Sequence, residues 1–474
     1  MSIVRKVAIN NLILLSERLF CALLGFLVSI WLIRYLKPEK YGIYSLIFAW
    51  FTFLNVFTPY TIEQIVARES VKNPQKMQKF MGAGFAIKIF LALIGWTVGI
   101  FTTWLLGYPH KYIFYLAIVL FGLIGNASYV LQVPHQIELR LLYPALAEGG
   151  SNFLYQVARA LLIILKFGLA SFFWAHLLWR LFQLFLFSLL GLEKKYRPSF
   201  KFSFGEVKTI ITASWILLIN NVFVMIISRI DQLMLYPIWG EQKVGLYGSC
   251  ARLTDYPILI ATVWFITVFP ILTKYLGESR SAFEQAGKYS FKYLSIISVF
   301  IWIAFAGFSK EILGVLFGKD YLSAQPALFW LSTALVFSFL QVGLFHLALS
   351  QNKEKIWLLI NGVGAVCNVV LNLALIPNYS IMGAGIATFS AFFIQVVMNA
   401  IIKEFRENFV IMLKSSLLPL LAGGLFVFLA NYFKLNLFPW LGIFWIIFFA
   451  FLLISKSLTL SEIRTIYQAL FSRR

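Results

Sequence analysis

The sequence predicts an all-α polytopic membrane protein of about 14 transmembrane helices, and three observations carry that prediction. Of 474 residues, 61% are hydrophobic and only 12% are charged, whereas a soluble domain is about a quarter charged. Apolar segments of about 20 residues, the length that crosses a bilayer, recur from one end of the chain to the other. The polar stretches between them are too short to fold as a soluble domain.

Taken in order, the segments fall at 9–34, 41–66, 81–106, 111–133, 149–170, 171–192, 209–239, 244–273, 289–317, 325–350, 356–376, 383–403, 415–433 and 437–455. The first is too long for a signal-peptide core and lacks a cleavage site, so it reads as a retained span. Short loops make sequential neighbours antiparallel. Pro38, Pro109, Pro134, Pro198, Pro377 and Pro439 punctuate span ends, as a residue without a backbone N–H does. Pro59, Pro257, Pro270 and Pro419 fall inside or at the edge of spans, where neighbouring helices must satisfy the freed carbonyls.

A hairpin at Ser228–Asp255 organises the chain. An apolar helix ends at the turn Trp239-Gly240-Glu241-Gln242-Lys243, and a second helix starts at once. Arg229, Asp231, Arg252 and Asp255 then share one depth, roughly 12 Å below the same surface. Charges at that depth are costly and are paired or functional. They form either a neutral charge network or, with Asp231, a proton or cation site. The same hairpin occurs half a chain earlier: Leu32–Ser45 aligns without gaps on Leu235–Gly248, matching Lys40 with Lys243, Gly42 with Gly245 and Tyr44 with Tyr247. A period that long suits two copies of a multi-helix lobe. The expected organisation is therefore 1–200 as an N-terminal six-helix lobe, 201–408 as a C-terminal six-helix lobe, and 409–474 as two additional helices and a cytoplasmic tail. The two lobes are expected to be pseudo-symmetric.

The net charge of +21 does not point to nucleic acid. Its excess lies in the loops Ala67–Lys79, Glu193–Lys208 and Lys274–Lys292, the positive-inside pattern that places both termini in the cytoplasm of a cell inner membrane. Cys21, Cys250 and Cys367 all lie in apolar spans and are expected as reduced thiols.

Polar residues within spans recur at helical spacing. Asn152, Gln156 and Arg159 share one face of the fifth span, and His176, Arg180 and Gln183 share one face of the sixth. Asn11 and Arg18 do so in the first, where Glu17 adjoins Arg18. Asn361, Asn368 and Asn372, then Thr388, Gln395 and Asn399, mark the eleventh and twelfth. Such stripes face other helices or a watery cavity. For the Asn, Ser and Gln residues interhelical hydrogen bonding is the plainer reading. For Arg159 and Arg180, with no carboxylate expected on their stripes, a cavity is the better one. Lys88 is expected to snorkel to the surface, and Glu63 to pair with Arg68. The interior of the N-terminal lobe would then be cationic, which suits an anionic substrate, and the planar fork of arginine suits phosphate.

Other chemistry finds no support. The nearest string to a phosphate loop, Gly314–Asp320, has the wrong spacing, so ATP is not expected as the direct energy source. The histidines His110, His135, His176 and His346 are scattered, without metal-ligand spacing. No metal or other cofactor is expected, and the chain reads as a transporter rather than an enzyme.

Several of these stretches carry a family likeness. Arg34–Ser45, Asp231-Gln-Leu-Met-Leu, Val244-Gly-Leu-Tyr, Phe269-Pro-Ile-Leu, the stretch Asn368–Pro377 and Gly383-Ala-Gly-Ile-Ala-Thr together resemble the polysaccharide biosynthesis exporters. These are the O-antigen and capsule flippases of the multidrug/oligosaccharidyl-lipid/polysaccharide exporter superfamily. The resemblance covers nearly the whole chain. It implies two six-helix lobes around a central cavity, with two further helices, and movement of an isoprenoid-pyrophosphate-linked oligosaccharide, as in O-antigen and lipopolysaccharide assembly, from the cytoplasmic to the outer leaflet by alternating access. Membrane lipids and polysaccharide-assembly proteins are the implied further partners. By analogy the pyrophosphate falls to Arg18, Arg159 and Arg180, with Asn152, Gln156 and Gln183 beside them and Asp231 or Glu17 as ion-coupling groups. A drug/cation antiporter of the same superfamily is the alternative. A polytopic glycan polymerase, which would need a large outer loop, is a more distant one.

Overall fold

The computed structural model describes residues 3–190, 193, 196–435 and 437–454, with the backbone alone described for residues 3–15, 190, 266, 437 and 438. Among the described residues every regular element is a helix, in the order α1 (Ile3–Leu54), α2 (Thr61–Lys72), α3 (Met77–Leu105), α4 (His110–Phe121), α5 (Val133–Ile137), α6 (Leu142–Ile164), α7 (Leu169–Leu190), α8 (Phe204–Glu278), α9 (Arg280–Gly307), α10 (Ser309–Leu316), α11 (Gln325–Ser350), α12 (Glu354–Ile401), α13 (Arg406–Tyr432) and α14 (Leu437–Ile454). The cytoplasmic tail expected at the C-terminus falls beyond residue 454, outside the described residues.

α1, α8 and α12 are each two spans joined at one non-helical residue: Lys37 (φ 60°, ψ 166°), Gly240 (φ 71°, ψ −175°) and Ser380 (φ 51°, ψ −129°). These are fold-backs rather than bends. The Tyr247 hydroxyl donates to Asp231 across 16 positions, which an unbroken helix would hold about 24 Å apart. With the three spans counted on each side, the observed segments follow the expected ones closely.

The sequence repeat is also a contact. A Cβ at Gly42 would run into the backbone carbonyl of Glu241, and one at Gly245 into that of Pro38. The alignment that pairs Gly42 with Gly245 also pairs Pro38 with Glu241 and Lys37 with Gly240. The two turns therefore grip each other reciprocally, each glycine accepting the other turn's carbonyl. Only a residue without a side chain permits backbones that close. Ser45 adds a hydrogen bond to Gln232, 3.1 Å.

Two expected helices are broken. The second span stops being α-helical at Asn55, passes through Pro59 and resumes at Thr61; the fourth continues from α4 as a 3-10 stretch over Gly122–Gln132. Both breaks lie in the first of two compact units, Met1–Gly248 and Ser249–Arg474.

In the second unit an apolar core of Phe265, Phe291, Phe339, Leu344 and Trp357 gathers α8, α9, α11 and α12. Its polar stripes serve as glue. Asn372 donates to Asn368 along one helix (3.1 Å), while between helices Gln395 donates to Asn361 (2.9 Å) and Ser295 to Ser416 (2.6 Å). That is the role expected of neutral amides between membrane helices. All three cysteines are free thiols.

Candidate functional site

α6 and α7 carry the predicted stripes as side-chain ladders, because residues three and four apart stand above one another on a helix. Gln156 Nε2 donates to Asn152 Oδ1 (3.4 Å) and Arg159 Nη1 to Gln156 Oε1 (2.7 Å). On α7, Arg180 Nη1 donates to Gln183 Oε1 at 3.0 Å. Arg159 is 3% exposed and Gln183 0%, so neither reaches open solvent.

Aromatic rings bring the two ladders together. Tyr155 and Trp179 stack at 4.5 Å with 9° between planes. The Arg159 guanidinium lies 5.5 Å from the Tyr155 ring centre, and that of Arg180 lies 4.4 Å from Trp179 and 5.6 Å from Phe51. A desolvated cation over such a ring gains about 2 kcal/mol, which partly offsets removal from water. His176 stands edge-on to Phe48 and Phe51, 5.0 and 4.8 Å away. The close approach of α7 depends on Gly125, where a Cβ would sit 3.0 Å from the Arg180 carbonyl oxygen.

Hydrogen-bonding capacity is left over in this cage. Both ring nitrogens of His176 and Nε of Arg180 find no partner among the described residues. Buried polar atoms are satisfied in most proteins, and an exception calls for an explanation, of which a bound partner is one.

The network extends to side chains that sequence spacing did not single out. Gln183 donates to the Tyr129 hydroxyl (3.1 Å), which donates to Glu148 Oε1 (3.2 Å). Glu148 lies one turn before Asn152 on the same face of α6, so the stripe does carry a carboxylate, contrary to expectation. Its position at the predicted edge of the span hid it. Across the Tyr129 ring, 5.7 Å from its centre, lies Lys88 Nζ. Lys88 does not snorkel: it is 1% exposed, is ion-paired with Glu63 and donates to the Asn126 carbonyl at 3.1 Å. At ~16 Å from the start of α3, the side chain is too short to reach the surface. Arg68 pairs instead with Glu69 at 3.0 Å. Glu63 sits in the first turn of α2, just past the Pro59 break, where a helix N-terminus favours a carboxylate. Asn126 closes the break by donating to Asn55 Oδ1 (2.6 Å) and Thr58 Oγ1 (2.8 Å).

The remaining expected residues lie on α1 and α8. Arg18 is exposed, and the Asn11 side chain lies outside the described residues. Half-buried Glu17 accepts from Cys21 Sγ at 3.2 Å. Asp231 is buried with Tyr247 as a hydrogen-bond donor, and Arg229 Nη1 donates to the Ser228 carbonyl at 3.3 Å. Arg252 lies over the Tyr256 ring, 4.8 Å from its centre; it and Asp255 belong to the second unit. Among the described residues no cluster of His, Cys, Asp and Glu could hold a metal ion.

Residues 7–276 match the family model described as polysaccharide biosynthesis protein. The chain is 23% identical over 213 residues to the probable low-salt glycan biosynthesis flippase Agl15 of Haloferax volcanii. That match covers 44% of this chain and 45% of the relative, so the chain spans less than half the length of the curated relatives it matches. In fold it is similar to the lipid II flippase MurJ in an inward closed conformation, with a TM-score of 0.73, 16% identity, and coverage of 97% of this chain and 99% of the other. An inward-facing multidrug resistance transporter of the MATE family, in the MOP superfamily, superimposes with a TM-score of 0.66 at 15% identity over 88% of this chain and 98% of its own.

Proposed function

We propose that this chain, which belongs to the polysaccharide biosynthesis protein family, is a flippase that moves an isoprenoid-pyrophosphate-linked oligosaccharide across the membrane. The observation that carries this reading is the cage of α6 and α7: Arg159 and Arg180 among aromatic rings, with Arg180 Nε and both nitrogens of His176 unsatisfied among the described residues. A pyrophosphate brings the negative charge and the acceptor oxygens that Arg180 Nε–H and the imidazole N–H of His176 can use. Gln156 and Gln183 hold the guanidinium groups in place, and Asn152 orients Gln156. Arg18, at the exposed edge, meets the head group on entry.

Two repeated halves working by alternating access would carry the head group from the cytoplasmic to the outer leaflet while the isoprenoid stays in lipid. The loop charges support an inner membrane with both termini in the cytoplasm. Asp231 and Glu17 are the acids that would couple an ion gradient to the cycle, and polysaccharide-assembly proteins would supply and receive the glycan.

The likeness to a multidrug transporter fold favours a second reading, export of organic cations. The charge of the cage opposes it, since two guanidinium groups repel a cationic drug. Deletion of the gene separates the two. Loss of surface glycan with unchanged drug susceptibility supports the flippase; heightened sensitivity to cationic drugs with normal surface glycan overturns it.

A further inference from the structure

The stacked pair Tyr155 and Trp179 touches two environments. The Arg159 guanidinium lies against the Tyr155 ring and that of Arg180 against the Trp179 ring. Both rings also help line a cavity of about 650 Å³ between α6 and α7, walled further by Leu154, Leu161, Trp174, Leu178 and Phe182. These wall residues are exposed apolar side chains. The cavity extends from Ser151 to Leu162 along α6, ~16 Å of helix axis, about half of a ≈30 Å hydrocarbon layer.

We infer that this groove is the seat of the isoprenoid chain of the lipid-linked substrate, with the Tyr155–Trp179 pair as the threshold between tail and head group. The inference rests on the flippase reading and adds to it a path for the tail. An amphiphile of this class demands two adjoining environments, cationic for its phosphates and apolar for its chain. Here the same two rings touch both, on the same two helices. A groove that merely collected bilayer lipid would have no reason to share its aromatic wall with two guanidinium groups. The branched isoprenoid chain gains by burial against the leucines and ring edges at about 25 cal/mol per Å² of apolar surface, while its phosphates engage the arginines beside the pair.

Site-specific photocrosslinking tests the assignment. The full-length protein carries a benzophenone amino acid in place of Leu178 in the groove or, in a second preparation, in place of Leu421 on the exposed face of α13. Each is reconstituted in phospholipid nanodiscs with radiolabelled polyprenyl diphosphate. The expected result is labelling at position 178 that exceeds that at 421 at least fivefold. Excess unlabelled polyprenyl diphosphate should suppress it, added phospholipid should not, and R159A/R180A should reduce it severalfold. Equal labelling at both positions, or labelling at 178 displaced by phospholipid, makes the groove an ordinary lipid contact and overturns the inference. Saturable polyprenyl diphosphate binding to the protein with no labelling at 178 overturns the groove and leaves the flippase reading standing. Absence of saturable binding anywhere on the protein overturns both. A158W, which fills the groove from α6, should abolish the labelling at 178 while head-group binding of a short-chain isoprenyl diphosphate persists.

Discussion

Lys88 and Glu63 form a fully buried ion pair, at 1% and 0% exposure. Such a pair hardly stabilises relative to well-packed apolar residues, yet leaving one member alone costs about 3–5 kcal/mol. K88M should therefore lower the thermal unfolding temperature of the purified protein sharply, whereas E63L/K88M should recover most of the loss. If the double variant proved as unstable as the single one, Asn126 and the broken second span, rather than the stranded carboxylate, would be the reason. The arginines of α6 and α7 obey different logic. Their bonds to Gln156 and Gln183 are to neutral amides, which hold the guanidinium groups without adding counter-charge. A conservative R159K/R180K variant preserves charge and loses the bidentate fork. It should bind polyprenyl diphosphate more weakly than wild type and better than R159A/R180A, by isothermal titration.

At the scale of elements, the two fold-backs at Lys37 and Gly240 place related residues in one backbone region that glycine alone adopts without strain. Lys37 carries a cost there of about 1–3 kcal/mol that Gly240 does not. K37G should therefore raise the unfolding temperature and G240K lower it, read by the same thermal scan. The reciprocal contact makes a sharper demand. G42A and G245A each push a methyl group into a main-chain carbonyl of the opposite turn, and backbone cannot rotate aside as a side chain does. Both variants should lose stability in equal measure, because the two positions are equivalent under the repeat. Unequal losses would show that the contact, though symmetrical in residues, is not symmetrical in energy.

Across the whole molecule, what was legible in the sequence followed from periodicity and length. The spans are visible because hydrocarbon requires about 20 apolar residues to cross it, and the fold-backs at Lys37 and Gly240 because the sequence repeats around them. The ladders Asn152–Gln156–Arg159 and Arg180–Gln183 were visible because helical spacing fixes which side chains meet on one helix. Partners on different helices were not. Nothing in spacing joins Lys88 to Glu63, or Tyr129 to Glu148 and Gln183, since those pairs depend on how the helices pack and on the broken stretches at Asn55–Tyr60 and Gly122–Gln132. The aromatic cage had the same obstacle: Tyr155 and Trp179 stand on different helices, and nothing in their spacing says that their rings stack beside the guanidinium groups.

The central claim is that paired arginines of α6 and α7 hold a phosphorylated head group during transport, and a flipping assay in proteoliposomes addresses it most directly. Each charge-assisted bond is worth about 1.5–3 kcal/mol, so removing both arginines should weaken head-group binding by about a hundredfold or more. With protein folded and inserted to the same level, R159A/R180A should move a fluorescent polyprenyl-diphosphate oligosaccharide at a small fraction of the wild-type rate at low substrate. Transfer at the wild-type rate would contradict the claim and remove these residues from the mechanism.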